Sequence, residues 1–210
     1  MRVIVYVEGP SDKTAMEELL KPLLDRKSQQ GVRIEFFGRG GKERVITQAP
    51  ISAANIVLHQ PDAVVVAMPD LYPKSKTHET ERELEAEVRG SFEAALRSKN
   101  AANDDRLKQR FHVFCFKHDL EALLLAAEEQ LKERLGASKL IKTWCEPVED
   151  QDHDMPPKRI VEELFKSHDN KYRAAVDAPG VLGRADYEEI AAKCPQCFKP
   201  FVKFLESCAA

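Results

Sequence analysis

The chain has 210 residues, of which 43% are hydrophobic and 32% charged, and its formal net charge is −3. This ordinary globular balance excludes a collagen-like, low-complexity or wholly disordered chain. The slight acidic excess argues against a protein that binds nucleic acid through overall positive charge, although it does not exclude a local basic groove. The 5 cysteines are odd in number and irregularly spaced, which argues against a disulfide framework.

No part of the sequence has the pattern of a membrane span or a secretory signal. The longest apolar stretches, residues 63–68 and 122–127, are far shorter than the roughly 20 residues that a spanning helix needs. The apolar run at residues 3–7 ends at Glu8, with no small-residue cleavage site behind it. We therefore predict a cytoplasmic protein that does not enter a membrane.

Apolar runs and helical patterns alternate along the first part of the chain. Strands are predicted at residues 2–7, 32–37, 63–68 and 111–116, and helices at 13–25, 43–59, 77–99 and 119–135. Pro22 and Pro50 are expected to kink or interrupt the first and second helices. Because parallel neighbours require crossover connections, this alternation predicts an α/β fold with a mainly parallel four-stranded sheet flanked by helices.

The character of the sequence changes after Gly136. Residues 144–157 are acidic and interrupted by proline, and short helical patterns follow at 158–167, 186–193 and 198–207. We interpret residues 1–136 as the α/β domain and residues 137–210 as a helical appendage packed on it.

Acidic side chains lie where three of the predicted strands end. Glu8 follows the first strand and Asp70 the third, and His118 and Glu121 lie just past the fourth. Because functional residues of such sheets lie at the carboxyl ends of the strands, we expect these acids to converge. A divalent cation such as Mg²⁺ or Mn²⁺ would relieve their repulsion. The alternative is that they are ordinary turn and helix-start acids, with a solvated histidine beside them.

Three weaker motifs carry less information. Residues 150–154 begin like a calcium loop but lack the glycine and glutamate that complete one, which favours a solvated acidic loop. Cys194 and Cys197 form a single CxxC pair with no second pair to complete a zinc site. Residues 38–42 lack the Walker spacing and indicate a plain turn. Three basic residues in or beside this turn could touch phosphate: Arg39, Lys42 and Arg44.

Three segments together resemble the motifs of a known family. Residues 5–12 are similar to the first motif of the Toprim domain, in which a strand ends in Glu-Gly and an Asp follows. Residues 64–72 lie where that domain carries its Asp-x-Asp motif. With residues 116–123, the chain resembles the bacterial Toprim-like family of unknown function numbered four-two-seven-six. The resemblance runs over most of the chain and includes residues 197–201.

The resemblance implies metal-dependent phosphodiester chemistry, as in topoisomerases, primases and overcoming-lysogenization-defect nucleases. It gives Glu8 a role in acid–base catalysis or metal binding, and it makes Asp70 a Mg²⁺ ligand. Glu121 matches a later acid only loosely. The second acid of Asp-x-Asp is Tyr72 in this chain, which removes one ligand. Either the site has lost its chemistry, or the missing contact comes from Asp12, Glu121 or His118.

The sequence thus predicts a Mg²⁺-dependent nuclease or related phosphodiester enzyme. Glu8, Asp70 and Glu121 would hold the metal, and His118, whose ordinary pKa lies near neutrality, would position water or transfer a proton. Three lysines could offset phosphate charge: Lys13, Lys42 and Lys117. One alternative is a non-catalytic binding or regulatory subunit that works beside a partner such as an ATPase in a defence or DNA-processing system. Another is a site for a nucleotide or small phosphate at the same sheet edge.

Overall fold

A four-stranded, all-parallel sheet forms the centre of the protein, which confirms the predicted α/β class. The computed structural model describes residues 1–72, 78–151 and 154–210. The strands are β1 (Arg2–Val7), β2 (Arg33–Gly38), β3 (Ala63–Ala67) and β4 (Phe111–Val113). Their order across the sheet is β2-β1-β3-β4, so β1 and β3 are the central strands.

Both faces of the sheet are covered by apolar layers. In β1, Val3, Val5 and Val7 join one core cluster, whereas Ile4 and Tyr6 join the other. Side chains of a strand alternate between its two faces, so a strand covered on both sides reads as one continuous apolar run. This is why β1 and β3 were recognisable from the sequence.

Helices connect the strands. Those of the first part of the chain are α1 (Pro10–Leu19), α2 (Lys21–Gln29), α3 (Lys42–Thr47), α4 (Ala49–His59), α5 (Glu81–Arg97), α6 (Asp105–Lys108), α7 (Glu121–Ala126) and α8 (Glu128–Leu135). Pro22 and Pro50 lie in the first turns of α2 and α4, where a missing N–H costs little, so the two predicted interruptions are confirmed. The third predicted helix, α5, begins after Thr80, and its predicted start at residue 77 lies outside the described residues.

The C-terminal segment adds a short 3₁₀ turn at Val148–Asp150 and four helices, α9 (Pro157–Ser167), α10 (Ala174–Leu182), α11 (Tyr187–Lys193) and α12 (Phe198–Ser207). These helices bury apolar side chains in the same cluster as Val3 of β1. Phe201 of α12, for example, packs edge-on against Phe36 of β2 with ring centroids 6.3 Å apart. Among the described residues, no helix combines the length and apolar character that crossing a membrane requires.

The start of α12 is held by a buried carboxylate. Glu149 is 3% exposed and accepts hydrogen bonds from the N–H groups of Gln196 (2.6 Å) and Cys197 (2.7 Å). The first N–H groups of a helix have no partner within it, so this carboxylate satisfies donors that would otherwise be buried without one. The CxxC segment therefore forms a structural turn, and all the cysteines, including Cys194, are free thiols.

We expect Glu149→Ala to lower the free energy of unfolding by about 1–3 kcal/mol, because it leaves buried N–H groups at the start of α12 without an acceptor. Urea denaturation measures the loss. Glu146→Ala is the matched control, since Glu146 lies in the same loop and is exposed. If both variants are equally stable, Glu149 does not anchor α12.

Candidate functional site

The ends of β1, β3 and β4 meet at the carboxyl edge of the sheet. Glu8 directly follows β1, and Asp70 lies just past β3. The N–H of Asp70 donates to Oε1 of Glu8 at 3.0 Å. Beyond β4, Phe116 forms an isolated parallel bridge with Asp70. The structure therefore places Glu8 and Asp70 side by side, with the segment that leads to Glu121 next to them.

Asp12 reaches the same edge from α1. Its Oδ2 accepts a hydrogen bond from the N–H of Gly9 at 2.7 Å and so caps the start of the helix. A carboxylate in the first turn is stabilised by the helix dipole. The local sequence Glu-Gly-Pro-Ser-Asp thus places two acids at this edge, one at the end of a strand and one at the start of a helix.

A second acidic pair, Asp119 and Glu121, lies at the start of α7. Glu121 is 4% exposed. Oδ1 of Asp119 is buried, and no donor among the described residues reaches it. Lys158 of α9 and Tyr172, which precedes α10, lie close enough to act on this pair electrostatically. Asp119, Lys158 and Tyr172 were not among the predicted site residues, because no local pattern in the sequence brings them together.

These carboxylates act on one another. Desolvation raises the pKa of Asp70 well above its usual range, and the negative charges of four other acids raise it further: Glu8, Asp12, Asp119 and Glu121. Burial and the neighbouring Glu121 raise the pKa of Asp119 to about 8. Desolvation also raises the pKa of Glu8, while the Asp70 N–H and the nearby Lys42 ammonium oppose that shift.

This donor set fits a divalent cation of the Mg²⁺ type. Carboxylate oxygens are the ligands that Mg²⁺ prefers, and the buried Oδ1 of Asp119 has no donor among the described residues. Within residues 1–72, 78–151 and 154–210, no three His, Cys, Asp or Glu side chains are close enough to hold an ion together. Mg²⁺ commonly takes only one or two carboxylates, with water and substrate phosphate completing its coordination. A pair such as Glu8 and Asp70 is sufficient for that mode.

The ring of His118 stacks on that of Tyr72, the second residue after Asp70. The two rings stack with centroids 4.9 Å apart and planes 13° from parallel. His118 is 2% exposed, and its Nε2 donates to the carbonyl of Gln151 at 2.8 Å, a contact that assigns the proton to Nε2. These contacts favour a packing role for His118, and its role in proton transfer stays a prediction.

The predicted lysines differ in their partners. Lys13 pairs with Glu17 at 2.8 Å, and Lys117 pairs with Asp150 at 2.9 Å. Lys42 instead donates to the carbonyl of Leu71 at 2.6 Å, next to Asp70. Lys42 is therefore the predicted lysine whose described contacts bring it to the carboxylate pair.

The raised pKa of Asp119 has a consequence for stability. Its unfolded pKa is about 4, whereas its folded pKa is about 8. Between these values the folded state holds more protons than the unfolded state, so the free energy of unfolding falls as the pH rises. We expect Asp119→Asn to reduce that fall in metal-free buffer, as measured by urea denaturation at a series of pH values.

Asp105→Asn is the control for this prediction, since the side chain of Asp105 is 79% exposed. It should leave the wild-type dependence on pH unchanged. If Asp119→Asn shows the same slope as wild type, Asp119 does not carry the shift.

Comparison with known proteins identifies the family. Residues 7–206 match the family described as "Domain of unknown function (DUF4276)". The C-terminal region of the Burkholderia pseudomallei OLD protein is similar in structure, with a TM-score of 0.49 and 15% identity over 98% of this chain and 96% of that one. The C-terminal region of the Xanthomonas campestris pv. campestris OLD protein is also similar in structure, with a TM-score of 0.46 and 14% sequence identity. That match covers 98% of this chain and 95% of the other. No curated protein matches the sequence. Because the family match takes in nearly the whole chain, the protein belongs to the DUF4276 family of unknown function, the one that its motifs resemble.

Proposed function

We propose that this protein cleaves phosphodiester bonds in nucleic acid with Mg²⁺ or Mn²⁺ held by Glu8 and Asp70. Glu121, predicted as a third ligand, would act on this pair through its charge. The observation that supports this most directly is the contact at the sheet edge, where the N–H of Asp70 donates to Oε1 of Glu8 at 3.0 Å. Burial and four surrounding carboxylates also raise the pKa of Asp70 above its usual range. Strongly shifted pKa values of this kind concentrate at functional sites. A bound cation would remove the electrostatic cost of gathering these acids.

When bound, the cation would polarise the scissile phosphate and lower the pKa of an attacking water. Glu8 engages the Asp70 N–H through Oε1, which leaves its second oxygen for a ligand. In the metal-free protein, burial and the neighbouring Glu121 raise the pKa of Asp119 to about 8. If Asp119 keeps a raised pKa in the loaded protein, it could pass a proton to a leaving oxygen, the role predicted for His118.

Positive charge for the substrate would come from Lys158. It is exposed, and its ammonium group lowers the pKa of Asp12 and Glu121 against the effect of burial. A nucleic-acid phosphate placed over the acids would meet this ammonium. Since Lys158 and Tyr172 lie within residues 137–210, the proposed helical appendage would form part of the site.

We expect Mg²⁺ or Mn²⁺ to raise the melting temperature of the wild-type protein, because a ligand that binds only the folded state stabilises it. Asp70→Asn and Glu8→Gln should abolish the shift, since each removes a negative oxygen from the proposed ligand pair. Differential scanning fluorimetry with and without EDTA measures it. Glu17→Gln, at the exposed side of α1, is the control and should keep the wild-type shift. A shift that persists in both site variants would place the metal elsewhere.

We expect the wild-type protein to cleave DNA or RNA in Mn²⁺, and Asp70→Asn to slow cleavage on the order of 100-fold or more. Lys158→Met should raise KM for nucleic acid while the metal-dependent thermal shift remains, because Lys158 is proposed to contact substrate. Lys166→Met is its control, since Lys166 is also exposed on α9. Equal loss in the two lysine variants would contradict a specific role for Lys158.

One observation favours a second function, that of a non-catalytic regulatory or binding subunit acting beside a partner such as an ATPase. Tyr72 stands where the resembled motif has its second acid, and it stacks on His118. A metal-dependent thermal shift without cleavage of any DNA or RNA substrate, by the chain alone, would favour this function over the nuclease.

A further inference from the structure

The turn between β2 and α3, residues 38–42, contacts the ends of two other strands. The N–H groups of Gly40 and Gly41 each donate to the carbonyl of Glu8 at 2.8 Å. Nζ of Lys42 donates to the carbonyl of Leu71 at 2.6 Å. One short turn therefore fixes the backbone of Glu8 and the residue that follows Asp70.

Two glycines of this turn, Gly38 and Gly41, occupy positions that a residue with a side chain would not readily fill. A Cβ on Gly38 would lie 2.8 Å from the carbonyl carbon of Gly9, a separation too short for two non-bonded carbon atoms. Gly41 has φ of +121°, a conformation that residues with a side chain rarely adopt. Gly38 thus allows the two backbone turns to pack against each other.

The backbone around Asp70 is held on two sides. The N–H of Asp70 donates to Glu8, and the N–H of Leu71 donates to the carbonyl of Phe116 at 2.7 Å. Lys42 completes this set through the Leu71 carbonyl. Its side chain is half-buried, and it lies near the carboxylates of both Glu8 and Asp70. Without Lys42, the Leu71 carbonyl would lose a charged donor in partly buried surroundings.

We propose that Lys42 is a positioning residue, which fixes the Leu71 carbonyl and thereby holds Asp70 at the separation from Glu8 that cation binding needs. The inference rests on the proposed function, because it concerns the same carboxylate pair. It differs from a phosphate contact, since Lys42 acts within the protein before any substrate binds. Residues that orient metal ligands in this way typically change metal affinity 10- to 100-fold when they are replaced.

The test is the affinity of the full chain for Mn²⁺ without substrate, measured by isothermal titration calorimetry. Electrostatics alone predicts that removing a nearby positive charge tightens cation binding. Positioning predicts the opposite sign, so we expect Lys42→Met to weaken Mn²⁺ binding about 10-fold or more. Lys42→Arg, which keeps a charged donor, should recover part of the affinity. Lys13→Met is the matched control, since it removes the same charge from a lysine that pairs with the half-buried Glu17 of α1.

Mn²⁺ binding by Lys42→Met that is as tight as wild type, or tighter, overturns the proposal. If the wild-type protein binds no Mn²⁺, the proposed function fails, and amide hydrogen exchange then decides the role of Lys42 separately. Faster exchange of the Asp70 and Leu71 amides in Lys42→Met, but not in Lys13→Met, supports positioning. Unchanged exchange overturns it. If Lys42→Met does not fold, Mn²⁺ affinity and amide hydrogen exchange are measured on Lys42→Arg instead. We then expect a loss of Mn²⁺ affinity smaller than that predicted for Lys42→Met, and unchanged affinity and exchange overturn the proposal.

Discussion

The hydrogen bond from the Asp70 N–H to the Glu8 carboxylate is the contact on which the arrangement of the site depends. It joins the ends of the two central strands, β1 and β3. In their parallel register Tyr6 pairs with Ala67, so the carboxyl ends of the two strands are adjacent. The same contact draws two acids together in a desolvated place. Burial and the charge of Glu8 raise the pKa of Asp70, whereas the Asp70 N–H opposes the rise that burial causes in the pKa of Glu8. Repulsion between them must be balanced by protons, by nearby lysines or by a cation. The chemistry proposed for this protein follows from that requirement.

The rest of the fold tolerates this repulsion because both faces of the sheet are covered by apolar layers. Burial of that surface is the dominant favourable term in folding, and it offsets the local cost of charged groups held close together. The C-terminal helices serve two purposes in this arrangement. Phe198, Phe201 and Leu205 of α12 bury the sheet, while α9 and the segment before α10 bring Lys158 and Tyr172 to the acids. The C-terminal helices therefore contribute both to the core and to the surroundings of the acids.

Much of this architecture follows from local patterns in the sequence. Continuous apolar runs predicted the strands, and the position of Glu8 and Asp70 after such runs predicted that they would lie together. Three features depend on contacts between distant segments and so had no local signal: the approach of Lys158 to Asp119, the stacking of Tyr72 on His118, and the break between α7 and α8 at Ala127. Helix α10 was missed because Pro179 and Gly180 interrupt its pattern, although the proline is accommodated inside the helix.

Tyr72 stands where the resembled motif has its second acid, and Asp70 nevertheless has acidic neighbours in this structure. Four carboxylates still act on Asp70, and two of them, Asp119 and Glu121, come from the turn after β4 rather than from the turn after β3. An aromatic ring at position 72 in turn covers His118, which is buried and bonded to a backbone carbonyl. In this protein His118 is therefore part of the packing, and two of the acidic neighbours of Asp70 come from the segment at the start of α7. A cation held by Glu8 and Asp70, as proposed, would then lie within reach of the negative charges at the start of that helix, which act on Asp70.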